Sequence, residues 1–466
     1  MKKYHLRTFE KKILADTLTP VSVYLRLRDH FSNTLLLESS DYHANDNSFS
    51  YICFNPIADI KIHKNELKET YPDGQITITP IDDSISIPNK IDNYIKHFKT
   101  EKNSHKFINN GLFGYLSYDS VKLFESVEIV RRSENTEIPE LYYAVYQNII
   151  AINHFNNEAH LFCHCFNKES NLNEIERLLT VKNFTNYQFT KTGKLKSSIS
   201  DKQYKSLVAR AKKHCQRGDV FQLVLSRRFS QDFKGDDFNL YRALRTINPS
   251  PYLFYFDYGD FKIFGSSPEA QLIVKDRQAE IHPIAGTFKR TGNDEKDAKS
   301  AIELSQDPKE NAEHVMLVDL ARNDLSRNGS LVEVKTNREV QFFSHVIHLV
   351  SKVTGIKKVE TPTFQLVADT FPAGTLSGAP KHKALELIEK YEKENRSFYG
   401  GAIGFMDFEG NFNHAIIIRS FLSKNHTLYY QAGAGIVAVS DEEKELQEVY
   451  NKLGALNKAL KIAENI

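Results

Sequence analysis

The sequence contains no tryptophan, although it has 31 phenylalanines and 22 tyrosines. By itself that absence excludes no function. Cysteine is scarce: Cys53, Cys163, Cys165 and Cys215 are the only 4 among 466 residues. So few cannot build a disulfide framework in so long a chain, and they fit reduced thiols. No apolar run approaches the roughly 18 residues that a membrane-crossing helix needs. The first residues, MKKYHLRTFEKK, are basic, but no apolar stretch follows them, so they do not read as a secretory leader. Net charge is only +2, which removes the electrostatic case for nucleic acid or an anionic membrane. Neither a GxxxxGK phosphate loop nor a GxGxxG turn stands at a strand–helix junction, so nucleotide readings fail. What is left is an ordinary globular composition, 41% hydrophobic and 26% charged, expected in the cytoplasm.

No fixed-period repeat or low-complexity segment breaks the chain. Residues 190–200, TKTGKLKSSIS, are polar and basic without hydrophobic periodicity, and read as a linker. That divides the chain into an N-terminal region 1–189 and a C-terminal region 201–466. A helix starts after the linker, with Ser200 and Gln203 as a capping box and Gly218 as its stop. Strand-like runs then dominate, among them DVFQLVLSRRF, YLFYFDYGDFKIFG, AEIHPIAG, HAIIIRSFL and TLYYQAGAGIV. Helices are expected at 300–326, 380–394 and 441–462. The first half is also strand-rich (NTLLLESS, SYICFNPIADIKI, QITITPI, YYAVYQNIIAINHF). Helix–strand alternation is rare, so the expected class is α+β: large, mostly antiparallel sheets forming a sandwich-like core, with helices outside.

Two acidic helix starts carry chemistry. In DPKENAEHVMLVDLARND, Asp307 caps, Pro308 takes the first helical position, and Glu310 completes a capping box. Glu313 lies one turn further, on the face of Leu317 and Leu320, and capping does not explain it. A carboxylate on such a face needs a cation or a proton. In SDEEKELQEVYNKLGALNKAL, Ser440 with Glu443 reads as another capping box. There Glu445 and Glu448 are spaced as Glu310 and Glu313 are. Two such pairs suit one hard divalent cation; two solvated faces, with Lys452 pairing Glu448, are the alternative that spacing alone favours. Three small-residue turns could cradle an anion: PIAGT (283–287), GTLSGAPK (374–381) and QAGAGIV (431–437), whose glycines are placed after a strand. Arg419, in the apolar strand AIIIRS, needs a carboxylate from protein or ligand. HLFCHCF (160–166) has two histidines on one strand face and two cysteines on the other, but no second cluster completes four ligands.

GDVFQLVLSRRF, NPSPYLFYF, FGSSPE, PIAGT, DPKENAEHVMLVDLARND, SHVIHLVS, FPAGTLSGAPK, YGGAIGF, IIIRS, QAGAGIV and EVYNK occur in this order. Together they resemble the chorismate-utilising enzymes, densely from 219 to 452. LLLESS and GLFGYLSYDSVKLFE extend the match towards the N-terminus. Two positions sort the family. Its water-adding members, the isochorismate synthases, carry a lysine base where this chain has Gln222. The aminodeoxychorismate synthases carry a nucleophilic lysine where it has Ala285. Neither lysine is present, so the resemblance points to the anthranilate-forming branch, which takes external ammonia. Those two sister activities, and a non-catalytic ligand-binding paralogue, are the alternatives.

The resemblance implies roles. Glu313 and Glu448 would bind Mg²⁺ directly, and Glu310 and Glu445 through water. Gly433, Ala434 and Gly435 would donate N–H groups to the ring carboxylate of chorismate. Tyr399 and Arg419 would grip the enolpyruvyl carboxylate, with Gly286 and Thr287 lining the pocket. Glu269 would protonate the departing hydroxyl, His348 would act in the pyruvate step, and Thr375 would help position the substrate. No cysteine lies in a glutaminase-like elbow, so a separate glutamine amidotransferase subunit would supply ammonia, in a heterotetramer. Tryptophan would inhibit at Glu38, Ser39, Pro251, Tyr252 and Leu253. The family often has Met where Leu253 stands, and DYHANDNSFSYICFNP departs from its commoner R-Y-S pattern.

Overall fold

Two long strands, Phe49–His63 and Leu141–Asn153, form the hub of the sheet. Residues such as Ile52, Phe54, Val145 and Ile149 are β-branched or aromatic and suit a buried pleated surface. The two strands pair antiparallel from Phe49↔Asn153 to Ile62↔Leu141. The computed structural model describes every residue except 1, 40–47, 131, 133–134, 182–183 and 343–345, and every described side chain except those of Thr287, Lys289 and Lys309.

Two arms of antiparallel strands leave the hub. One runs through Leu35–Glu38, Tyr252–Asp257, Phe261–Ser267, Ser420–Lys424 and Thr427–Ile436 to Gln222–Gly235. The other runs through Leu112–Leu116, Ala402–Met406, Phe412–Ile416, Ala270–Lys275 and Gln278–Ile281 to Val346–Lys357. One buried cluster joins Phe254, Phe256 and Ile263 of the first arm to Phe113, Ile403 and Ile416 of the second. The sheet is thus folded back over a shared core. Burying each such phenylalanine contributes about 1.5–3 kcal/mol. Helices cover the outside: Tyr204 and Leu207 of Asp201–Arg217, Leu385 and Ile388 of Lys381–Tyr391, and Leu446, Val449 and Leu453 of Glu442–Ile462 share a second core. The α+β sandwich is the expected architecture. Among the described residues only Tyr4–His5 and Phe98–Lys99 pair in parallel.

Several local expectations change. The stretch 190–200 is not a free linker: Phe189–Ser197 is a strand on Gln222–Gly235. It is polar because it lies at an edge, where solvent-facing lysines also discourage further pairing. The helix expected at 300–326 is two, Asp294–Gln306 and Pro308–Ser326, broken at Asp307. The last helix is capped by Asp441, whose carboxylate accepts from Glu443 N and Lys444 N. Ser440 cannot cap it because its hydroxyl takes the Val437 N–H at 3.0 Å instead. The box of Ser200 and Gln203 forms as expected, and Gly218 ends that helix at φ +81°.

Candidate functional site

Glu269 follows the strand Phe261–Ser267, and its backbone carbonyl is fixed by Ile416 N at 3.0 Å. Its Oε1 accepts a hydrogen bond from Thr375 Oγ1 at 3.0 Å, from the short helix Gly374–Ser377. Water still reaches part of its surface, yet protein surrounds the carboxyl. Burial pushes its pKa up to about 7, against the pull of Thr375, Arg419 and Lys452. A carboxyl so poised can donate a proton near neutral pH.

Arg419 is not in a strand. It sits at the bend between Phe412–Ile416 and Ser420–Lys424, with φ +51°. A non-glycine residue in the left-handed region is uncommon and strained, and such strain concentrates at functional sites. Among the described residues its guanidinium makes no hydrogen bond or ion pair. Burial lowers its pKa, while Tyr399, Glu448 and Glu269 hold it up, so those three groups surround it. Tyr399 is buried, and burial pushes its hydroxyl up to about 12, although Arg396, Arg419 and the Gly433 N–H favour the charged oxygen.

His348 lies on Val346–Lys357, and its Nδ1 is 2.6 Å from the Gly286 carbonyl. A carbonyl only accepts, so Nδ1 carries the proton and Nε2 keeps its lone pair. Burial lowers the histidine pKa, and Arg419 lowers it further, so the ring is neutral at pH 7. Gly286 has φ +71°, and a Cβ there would stand 2.7 Å from Leu304 Cδ1 and 3.2 Å from Glu310 Oε2. Only glycine fits this approach. It brings the first turn of Pro308–Ser326 beside His348. Thr287 is the next residue on the strand Ile284–Lys289, and its side chain lies outside those described.

Asp307 Oδ1 accepts from Glu310 N at 3.0 Å, the expected cap. Glu313 is one turn on, and its Oε1 accepts from Gln222 Nε2 at 2.9 Å. Gln222 Oε1 is buried with no hydrogen-bond partner. On the other helix Glu445 is buried, and Glu448 pairs with Lys452 at 2.6 Å. Lys452 Nζ also donates to Gly433 O at 2.9 Å. Glu313 and Glu448 therefore flank one stretch of Thr427–Ile436: Gln222 lies against Gly435, where a Cβ would be 2.2 Å from its Nε2. The four glutamates approach from two helices, but among the described residues no three bring carboxylate oxygens within 4.8 Å of one another. Oxygen donors on both sides, one accepting from an amide and one paired with a flexible ammonium, fit a hard cation such as Mg²⁺.

Gly433, Ala434 and Gly435 are within the strand, not after it. The neighbouring strand Ser420–Lys424 pairs only as far as Tyr430. Gly433 faces that open edge, because its N–H meets Tyr399 and its carbonyl meets Lys452. Backbone direction alternates, so Gly435 faces the same edge and Ala434 faces Gln222–Gly235.

The residues Glu38, Ser39, Pro251, Tyr252 and Leu253 are neighbours elsewhere: Leu253 pairs with Glu38. Glu38 is buried and fully engaged, accepting from Tyr241 at 2.6 Å and Arg245 Nε at 2.9 Å. Of the segment that departs from the family pattern, DYHANDNSFSYICFNP (41–56), residues 41–47 lie outside the described ones and Phe49 onwards belongs to the strand Phe49–His63. Sequence reasoning marked Gln222 only as a sorting position and missed its bond to Glu313. Its odd-one-out polarity in the apolar run FQLVL was the available signal.

A near-neutral acid, an arginine with no bonded partner among the described residues and a strand edge of backbone groups facing the site suit a small substrate with more than one negative charge. A model of the chorismate binding enzyme family matches residues 34–458, and the chain belongs to that family. Within it, the chain is 35% identical to anthranilate synthase component 1 of Aquifex aeolicus, with 99% of this chain and 96% of that one aligned. It is 36% identical to the protein of the same name from Lactococcus lactis, over 96% of this chain and 98% of that one. The crystal structure of anthranilate synthase component I from Streptococcus pneumoniae superposes with a TM-score of 0.78 at 32% identity, covering 96% of this chain and 99% of that one.

Proposed function

We propose that the protein converts chorismate and ammonia into anthranilate and pyruvate, the first committed step of tryptophan biosynthesis. The observation that carries this reading is Glu269: its pKa is raised to about 7 beside Arg419 and Thr375, on a scaffold shared with anthranilate synthase component I. Hydroxide leaves poorly, so the 4-hydroxyl needs a proton as it departs, and Glu269 supplies it. Ammonia adds to the ring as water leaves. The ring then loses the proton on the carbon bearing the new nitrogen, and the enolpyruvyl group leaves as pyruvate, with the neutral Nε2 of His348 serving this step. Arg419 and Tyr399 take one carboxylate of the substrate. The N–H groups of Gly435 and of Gly433, which releases Tyr399 to do so, take the other.

Glu313 and Glu448 would hold Mg²⁺, with Glu310 and Glu445 acting through water. When bound, the ion neutralises the ring carboxylate. Gln222 is an amide committed to Glu313, so it cannot act as the base for adding water, and Ala285 has no nucleophile. Both points support ammonia as the nucleophile. A glutamine amidotransferase subunit is the proposed source of that ammonia. Tryptophan is the proposed inhibitor at Glu38, Ser39, Pro251, Tyr252 and Leu253, and Glu38→Gln should weaken its inhibition by freeing Arg245. The cytoplasm is the proposed location; among the described residues no helix is long and apolar enough to cross a membrane.

The test is anthranilate fluorescence from chorismate, ammonium and Mg²⁺, with the wild type and with Glu448→Gln. The wild type should turn over, and the variant should not. Wild-type rates from Glu448→Gln would remove the carboxylate assignment.

A further inference from the structure

Far along the chain from the site above, Glu10, His105 and His160 bring one ligand atom each within 4.8 Å of the others. Glu10 lies on Arg7–Leu14 and His160 on Glu158–Cys165, which pair antiparallel with Glu10 opposite Phe162. His160 is two residues from Phe162, so its side chain shares the face of Glu10. His105 comes from the loop between Phe98–Lys99 and Leu112–Leu116. Asn103 braces that loop: its Oδ1 accepts from His105 N at 2.9 Å and its Nδ2 donates to Phe107 O at 2.7 Å.

The two carboxylate oxygens of Glu10 are divided between the histidines. Oε1 is 2.7 Å from His160 Nδ1, and Oε2 is 3.1 Å from His105 Nε2. Tetrahedral Zn²⁺ with bonds of about 2.0–2.1 Å needs ligand atoms about 3.3 Å apart, so small side-chain rotations suffice. Phe107 and Phe162 wall the cluster: His105 stacks on Phe107 at 4.7 Å and meets Phe162 edge-on at 5.5 Å. Glu10 is exposed and the two histidines are half-buried, so one side of the cluster faces apolar rings and the other faces water. Lys12, opposite His160 across the strands, is drawn to Glu158 at 2.7 Å. His164 does not take part, since Thr8 Oγ1 at 3.0 Å and Asn109 O at 2.6 Å occupy both of its nitrogens.

We propose that Glu10, His105 and His160 bind one divalent d-block cation of the Zn²⁺ class, leaving its fourth position open to solvent. Two imidazoles and one carboxylate suit Zn²⁺, Co²⁺ or Ni²⁺, whereas Mg²⁺ demands oxygen ligands. The cation clips the loop bearing His105 onto two strands of the N-terminal region. It is independent of the Mg²⁺ proposed at the four glutamates, and of the reaction.

The test uses the full chain, freed of metal with a chelator and titrated with Zn²⁺ by calorimetry in excess Mg²⁺. Co²⁺, followed by visible absorption, reports the ligands. One equivalent of Zn²⁺ should bind, and Mg²⁺ should not displace it. His160→Ala and His105→Ala should each weaken binding about 100-fold or more, beyond the ~10–100-fold loss of an outer-shell partner. Their thermal unfolding midpoints without metal should match the wild type; His105→Ala, on a loop, leaves the strand pairing untouched. No one-equivalent event in the wild type, or undiminished binding in His105→Ala, would overturn the site.

Discussion

Glu269 is where the local environment most changes a residue's chemistry. Its carboxyl ionises near 7 rather than at the usual 4.5. Chorismate turnover should therefore fall above pH 7, as the proton-donating form is lost. Glu269→Gln should lower kcat by about 10²–10⁴ with a much smaller change in KM. The same shift acts on stability. A carboxyl with a raised folded pKa binds more protons folded than unfolded between about 4.5 and 7, so stability declines as pH rises through that window. Glu269→Gln should remove this slope and stabilise the protein at pH 8 by roughly 1–3 kcal/mol. Denaturant melts at pH 5 and pH 8 check the sign; equal slopes for both proteins would refute the buried acid. Glu269 was legible only through a family motif, because SSPE alone carries no sign of burial. Arg419 shows the reverse. Its type and apolar surroundings were visible, but its bend and positive φ were not, since AIIIRSFL reads as one unbroken strand.

Among the elements, the strand Thr427–Ile436 does the most to shape the site. Its glycines are small because other groups crowd it: a Cβ on Gly435 would lie 2.2 Å from Gln222 Nε2. Gly435→Ala should push Gln222 off Glu313. We expect chorismate KM to rise about tenfold, equivalent to ~1.4 kcal/mol, with the unfolding midpoint little changed because the amide is a flexible end. Steady-state kinetics and a thermal melt check this together; an unaltered KM would show that the strand edge is not used. Helix starts were legible where the cap competes with nothing, as at Ser200 and Asp307. At Ser440 the neighbouring Asp441 was the stronger cap, and a local turn claimed the serine. Short-range chemistry could not rank those two outcomes.

The molecule as a whole is interlocked across its middle. Strand Leu35–Glu38 pairs with Tyr252–Asp257, and Leu112–Leu116 pairs with Ala402–Met406. A fragment of 201–466 would expose both strand edges and half of the shared core. Expressed alone, it should fail to give a cooperative melt, whereas the full chain should give one; a cooperative, chorismate-binding fragment would contradict this. The α+β class followed from the abundance of alternating runs and the scarcity of helix–strand alternation. Strand order did not, because pairing joins residues hundreds of positions apart and leaves no local trace. For the same reason the stretch 190–200 read as a linker: an edge strand facing water looks like a loop. Glu10, His105 and His160 were equally hidden, since only the fold brings them together.

The measurement that bears most directly on the central claim is product identity. The purified chain would be given chorismate, Mg²⁺ and ammonium, without any partner subunit, and the products resolved by mass spectrometry. Anthranilate and pyruvate in equal amounts are predicted, with no turnover when glutamine replaces ammonium. Isochorismate, aminodeoxychorismate or unchanged chorismate would contradict it.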